Sequence, residues 1–279
     1  MRLRSVLYMP GANERALDKA RELPADALVF DLEDAVAPEA KAQARDSATA
    51  AATSDAYGNR TLAIRVNGIG TQWHDEDVAA AAAAGPHAIL VPKVASVEDV
   101  IAVERALEKA GAPEHTRIWA MLETPVAILS AEPIAAASPR LTVLIMGTND
   151  LVNELHAEAV PGRRPLLTSL SLSVLAARAA GKMILDAVYN DVGDLEGFEA
   201  ECRDGRELGF DGKTVIHPGQ IEICNAAFSP STEEIDHARR VIDAFEQSGS
   251  GVVTLDGRMI EGMHVESARR VLALAGVVS

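Results

Sequence analysis

Apolar residues along this chain fall into two alternating rhythms. Short runs rich in β-branched and other apolar residues, at 5–9, 27–31, 61–66, 88–92, 117–123, 141–147, 183–188 and 213–217, read as strands. Between them, longer stretches at 13–22, 38–54, 97–110, 125–137, 166–180 and 195–208 carry the spacing of amphipathic helices. This alternation is the signature of parallel βα units. Eight such units predict an α/β chain folded as a closed TIM-type (β/α)8 barrel over 1–228 rather than an open sheet. The alanine run 79–84 fits a helix packed closely on the barrel. Pro, Gly and paired arginines within 153–165 predict a mobile loop after the sixth strand, placed to act as a lid. Beyond the eighth unit, a helix over 232–247, a Gly-Ser-Gly turn, an extended segment 252–260 and a last helix 265–275 make a C-terminal helical extension, 229–279. It either packs on its own barrel or reaches a neighbouring copy.

What stands at the C-terminal end of each run changes the picture. In order these are Tyr8, Asp31 with Glu33 and Asp34, Arg65 with Asn67, Lys93, Glu123, Asp150 shortly after Gly147, Asp186, and His217. In a βα barrel these ends converge on one face, where active sites sit. A strand turning polar as it leaves the core explains any one of these residues, but not the whole set.

Composition narrows the class. The 279 residues are 48% hydrophobic, enough for a large core. A formal net charge of -15 argues against a nucleic-acid partner, because phosphate neutralisation needs a basic surface. No apolar run reaches the ~18 residues that span a bilayer, and the N-terminus meets charge and Pro-Gly before any signal-like core forms. The expectation is a cytoplasmic protein with no membrane partner. Cys202 and Cys224 lack metal or redox spacing and read as reduced packing residues.

Among candidate residues, Glu123 and Asp150 follow apolar strands and point into one mouth. Two carboxylates completed by water and substrate oxygens suit Mg²⁺; a general acid/base pair, or simple pairing with Arg65 and Lys93, are the alternatives. Arg65 is poised to hold a carboxylate by a bidentate fork, and a salt bridge to Glu33 is compatible with that. Lys41 and Arg45, four residues apart on one helix face, either meet phosphates or stay solvated. His217, followed by Pro218 and Gly219, reads most simply as a structural hydrogen-bonder.

Taken together, the motifs RSVLYMPG at 4–11, DLEDAV at 31–36, IRVN at 64–67, VPKV at 91–94, MLET at 121–124, MGTNDL at 146–151, GFDGKTVIHPGQI at 209–221 and DGRMIEG at 256–262 resemble the citrate lyase beta subunit and malyl-CoA lyase family of the HpcH/HpaI aldolases. Each motif is short; all of them in this order are specific. The resemblance implies Mg²⁺ on Glu123 and Asp150, with Arg65 gripping a keto-acid carboxylate and Tyr8 and Gly147 beside the substrate. It implies that Glu33 helps order water on the metal, and that Lys41, Arg45, Asp186, His217 and Pro218 serve a CoA site. It also implies a homotrimer or hexamer in which the C-terminal segment of one chain closes the site of the next.

Two departures stand out. Asn149 replaces the acid that many members carry before the aspartate at Asp150, and Glu261 in Met259-Ile260-Glu261 replaces a catalytic aspartate. The extra methylene moves that carboxylate by roughly an ångström, which matters for an aligned proton transfer. The expected activity is reversible Claisen-type cleavage of a malyl-, citramalyl- or citryl-CoA to a keto acid and an acyl-CoA, with Arg65, Glu33 and Glu261 as its catalytic residues. A thioesterase on the same scaffold, or a non-catalytic subunit that binds CoA esters or keto acids, are the rival readings.

Overall fold

The computed structural model describes residues 2–249 and 251–276. Eight strands, β1 (Ser5–Pro10), β2 (Ala27–Asp31), β3 (Thr61–Arg65), β4 (Ala88–Val91), β5 (Arg117–Leu122), β6 (Leu141–Met146), β7 (Met183–Asp186) and β8 (Gly212–Val215), form a closed barrel in sequence order. All barrel pairings are parallel, and β8 returns to β1 with Ser5 opposite Lys213. Strands buried on both faces account for their near-continuous apolar runs.

Helices alternate with the strands: α1 (Glu14–Ala20), α2 (Lys41–Ala52), α3 (His74–Ala84), α4 (Val97–Lys109), α5 (Pro125–Leu129), α6 (Ala131–Ala136), α7 (Thr148–Glu154), α8 (Leu167–Ala179), α9 (Leu195–Leu208) and α10 (Ile221–Ala227). The alanine run lies in α3, where Ala81 and Ala82 are fully buried. The helix expected over 125–137 is divided into α5 and α6 at Ser130. Pro133 has no N–H with which to bond the Leu129 carbonyl, so the first helix cannot run through it. Nor is 153–165 one loop: it opens inside α7 and ends in a 3-10 turn, Pro161–Leu166, whose Arg163 is buried.

Contacts divide the chain into two compact units, Leu3–Asn225 and the residues from Ala226 onward. In the second, α11 (Thr232–Ser248) and α12 (Gly262–Leu274) pack with a hairpin of β9 (Val252–Leu255) and β10 (Arg258–Glu261) around Val241, Ile260, Val265 and Leu272. The stretch expected to be extended over 252–260 therefore folds back on itself. Asp256 and Gly257 both take positive φ, 50° and 76°, as a tight two-residue hairpin turn requires. Of the Gly-Ser-Gly turn, Ser250 lies outside the described residues.

Barrel closure depends on one small residue. A Cβ on Gly212 would stand 1.8 Å from the Leu3 carbonyl oxygen, where β8 meets the chain entering β1. Gly212→Ala should therefore cost about 3 kcal/mol or more, read as a lowered urea midpoint; an unchanged midpoint would show that the seam can shift to admit a methyl group.

Candidate active site

Side chains alternate across a strand, so the rows that fill the barrel interior also decide what emerges at its mouth. Val6 leads to Tyr8, Val29 to Asp31, Ala63 to Arg65, and Trp119 and Met121 to Glu123. Tyr8, Asp31, Arg65 and Glu123 line one cavity of about 310 Å³, with Gly147 and Asp150 in its wall.

Asp31 and Arg65 are register partners on adjacent strands. Their side chains meet edge to edge, Nε to Oδ1 at 2.6 Å and Nη2 to Oδ2 at 2.7 Å. Asp31 also accepts from the backbone N–H groups of Glu33 and Ala35, at 2.9 and 3.1 Å, which shapes the loop after β2. Burial weakens the charged form of Arg65, but Asp31 outweighs it and raises the pKa above its ordinary value. The guanidinium lies 4.9 Å from the centre of the Tyr8 ring. Burial pushes the Tyr8 hydroxyl's pKa up, so that phenol stays neutral.

The Arg65 fork has partners inside the chain, among them the Glu33 salt bridge that is compatible with its expected role. Its Nε edge is filled by Asp31, and Nη1 reaches Glu33 Oε2 at 2.9 Å and Asp34 Oδ2 at 3.5 Å.

Glu123 is buried, and its Oε1 accepts from the Lys93 N–H at 2.5 Å. A Cβ at Gly147 would lie 2.4 Å from Glu123 Oε2, so the end of β6 must be glycine for this carboxylate to stand where it does. Burial, and then the nearby Glu33 charge, push the Glu123 carboxyl up to about 7. Glu33 is also pushed up to about 7, by burial against the opposing pull of Arg65 and with Asp34 adding to the rise.

These carboxylates fit a divalent cation. The Lys93 ammonium already stands as a cation 3.5 Å from Asp150 and 3.7 Å from Glu33. Among the described residues, no three acidic, His or Cys side chains are close enough to hold an ion alone. An ion on Glu123 and Asp150 would need water or substrate oxygens to complete its shell, which is the habit of Mg²⁺.

Three of the residues expected at a CoA site have partners inside the chain. Lys41 is buried, donates to the Leu32 and Glu33 carbonyls at 2.7 Å each, and lies 5.2 Å from the centre of the Trp73 ring. Arg45 pairs with Asp77 at 2.7 Å and with Glu76 at 2.8 Å. Asp186 is fully buried between Arg163 Nη1, at 2.6 Å, and Lys213 Nζ, at 3.0 Å. Those two cations outweigh burial and hold the Asp186 carboxyl below its ordinary range. His217 is exposed after β8, its Nδ1 accepting from the Gly219 N–H at 3.1 Å, with Pro218 half-buried beside it.

Sequence reasoning gave no separate task to Asp31, although it stood in the acidic DLEDAV segment, and it passed over the pairing of Asn149 with Asn190. Those amides exchange hydrogen bonds of 2.7 and 3.2 Å on the wall of the cavity. Glu261 belongs to the second unit, at the junction of β10 and α12, where its N–H donates to His264 Nδ1 at 3.0 Å.

Comparison with known proteins places this geometry. The HpcH/HpaI aldolase/citrate lyase family model matches residues 4–218, and one for carbon–carbon bond lyases of the TIM-barrel fold matches 166–278. A (3S)-malyl-CoA thioesterase of Cereibacter sphaeroides is 49% identical over 99% of this chain and 95% of its own length. The citrate lyase subunit beta of Escherichia coli K12 is 38% identical over 98% and 93%. A crystal structure of CitE from Mycobacterium tuberculosis with magnesium, acetoacetate and coenzyme A superposes with a TM-score of 0.81 at 30% identity, covering 98% of this chain and 97% of that one. The chain belongs to the HpcH/HpaI aldolase/citrate lyase family.

Proposed function

We propose that this chain is a Mg²⁺-dependent carbon–carbon lyase that cleaves a malyl-, citramalyl- or citryl-CoA thioester to a keto acid and an acyl-CoA. The observation that carries this reading is the gathering of Glu123, Asp150 and the Asp31-fixed Arg65 around one cavity, with Glu33 and Asp150 sharing the Lys93 ammonium beside it. The M. tuberculosis relative crystallised with magnesium, a keto acid and coenzyme A supports it.

Arg65, fixed by Asp31, orients the substrate carboxylate on its outer edge, and the neutral Tyr8 ring walls the inner side from water. Glu123 and Asp150 would hold Mg²⁺, which when bound would supply Lewis-acid polarisation of substrate oxygens. Glu33, paired with Arg65 Nη1 at 2.9 Å, takes the hydroxyl proton. As that proton leaves, the carbon–carbon bond breaks, its electron pair passes to the acyl thioester as an enolate, and the hydroxyl carbon becomes the keto group. Glu261, supplied by a neighbouring copy in a trimer or hexamer, returns a proton to the enolate carbon. The C-terminal extension, 229–279, is the segment that carries it. No helix among the described residues is long and apolar enough to cross a membrane, and action on CoA esters in the cytoplasm follows from the same reading.

The 49% relative favours a second reading, thioester hydrolysis. There the same carboxylates and Arg65 hold the malyl group while water attacks the thioester carbonyl and CoA leaves.

Purified protein incubated with Mg²⁺ and the three thioesters, with keto acid, acyl-CoA and free CoA recorded separately, distinguishes them. Keto acid and acyl-CoA rising together are expected; free CoA and the free hydroxy acid without acyl-CoA would establish hydrolysis, and no product from any thioester would sink both readings. Glu123→Ala should keep its circular dichroism yet weaken Mg²⁺-dependent binding of pyruvate or oxaloacetate, measured by calorimetry, more than about ten-fold; parental binding would remove the metal assignment.

Metal-free protein carries a pH signature. With Glu33 and Glu123 pushed up to about 7, against about 4.3 in the unfolded chain, ionising them is harder in the folded state. Their contribution to stability therefore falls as pH rises between those values. In chelator, Glu123→Gln should melt close to the parent near pH 5 and gain on it by pH 8; a parent that gains on the variant would contradict the buried, charge-crowded setting of Glu123.

A further inference from the structure

Lys93 stands beside the acids at the mouth of the barrel, and the catalytic reading gives it no task. It follows β4 with a left-handed backbone, φ 54°, that side-chain-bearing residues rarely adopt. The inward row of β4 runs through Ala88 and Leu90, and simple alternation would continue it to Pro92, not Lys93. The left-handed turn sets both of the residue's polar groups on the acids. Its N–H donates to Glu123 Oε1 at 2.5 Å, and its ammonium stands 3.5 Å from Asp150 Oδ2 and 3.7 Å from Glu33 Oε1.

Three carboxylates within reach of one lysine repel one another unless a cation stands among them. A strained backbone is tolerated where the surroundings over-determine it, and such strain gathers at functional sites. The Lys93 side chain is also 51% exposed, so its ammonium can swing into water without uncovering buried surface. Glu33, in contrast, shows only 10% of its side chain. The cation is the replaceable partner of this cluster, and the acids are its fixed part.

We propose that Lys93 is the resident counter-ion of the metal site: its ammonium holds Glu33 and Asp150 together before a divalent ion arrives and is displaced by that ion. Metal binding is then an exchange of one cation for another on the Asp150 carboxylate that both use, and Lys93 is a positioning residue that sets metal affinity. The inference rests on the metal-dependent reading above.

The test titrates Mg²⁺ alone into metal-free parent, Lys93→Gln, Lys93→Gly and Lys93→Arg by calorimetry, with melting of each recorded in chelator. Lys93→Gln removes the competing charge and should bind Mg²⁺ about ten-fold more tightly, with a lower melting temperature in chelator and a larger rise on adding Mg²⁺. Lys93→Gly keeps the N–H, relieves the left-handed strain and should share the tighter binding, whereas Lys93→Arg should stay near the parent. Affinity for Mg²⁺ that is unchanged or weaker in Lys93→Gln overturns the inference. A parent that binds no divalent ion overturns the metal reading itself, and this inference with it.

Discussion

Asp31 and Arg65 face one another across the seam between β2 and β3, both almost wholly buried and joined through two charge-assisted hydrogen bonds. Breaking such a pair by deleting one partner leaves an uncompensated interior charge, at a cost of about 3–5 kcal/mol. Here more than stability depends on it. Asp31 also accepts from two N–H groups of the following loop, so the same carboxylate that fixes the guanidinium also shapes the segment carrying Glu33 and Asp34. Lys41 seals that segment from the other side through the Leu32 and Glu33 carbonyls. The loop that carries Glu33 and Asp34 is thus held between two buried cations, Arg65 and Lys41.

Against this fixed frame, the mouth of the barrel carries more negative charge than its own cations balance. Glu33 and Glu123 resist ionisation because burial strips them of water and neighbouring carboxylates repel the added charge, Asp34 at Glu33 and Glu33 at Glu123. The other interior charge cluster is of a different kind. Asp186 and Glu201 meet Lys213 and Arg163 in equal number, and the Asp186 carboxyl lies below its ordinary range rather than above it. The balanced cluster is built like a structural core, and the unbalanced one like a place for a guest cation.

The barrel was legible because period and length agree: eight short apolar runs separated by helical spacing leave little room for another architecture. Legible too was the convergence of Tyr8, Arg65 and Glu123, since alternation along a strand carries an interior row out to the mouth. What the pattern concealed was the partner of each charge. Lys41 and Arg45 share a helix face in the sequence, yet one bonds to backbone carbonyls and the other to Asp77, contacts between segments that no local spacing reports. Asp186 ends a strand as Glu123 does, but a buried lysine on the next strand and an arginine from a distant loop claim it. The hairpin at 252–261 went unseen because its Asp-Gly turn sits within a single extended-looking run.

The contact between Gly147 and Glu123 reaches beyond the present molecule. Because the space a methyl group at 147 would need is already filled by the Glu123 side chain, neither position can drift alone in a working descendant. A side chain at 147 would meet even the Cβ of residue 123, 2.4 Å away, so it demands glycine there or a shift of the strand, and either takes the carboxylate from its place in the cavity. The two positions, after neighbouring strands, are thereby coupled: a side chain following β6 is compatible with this backbone only where the acid following β5 is gone or moved.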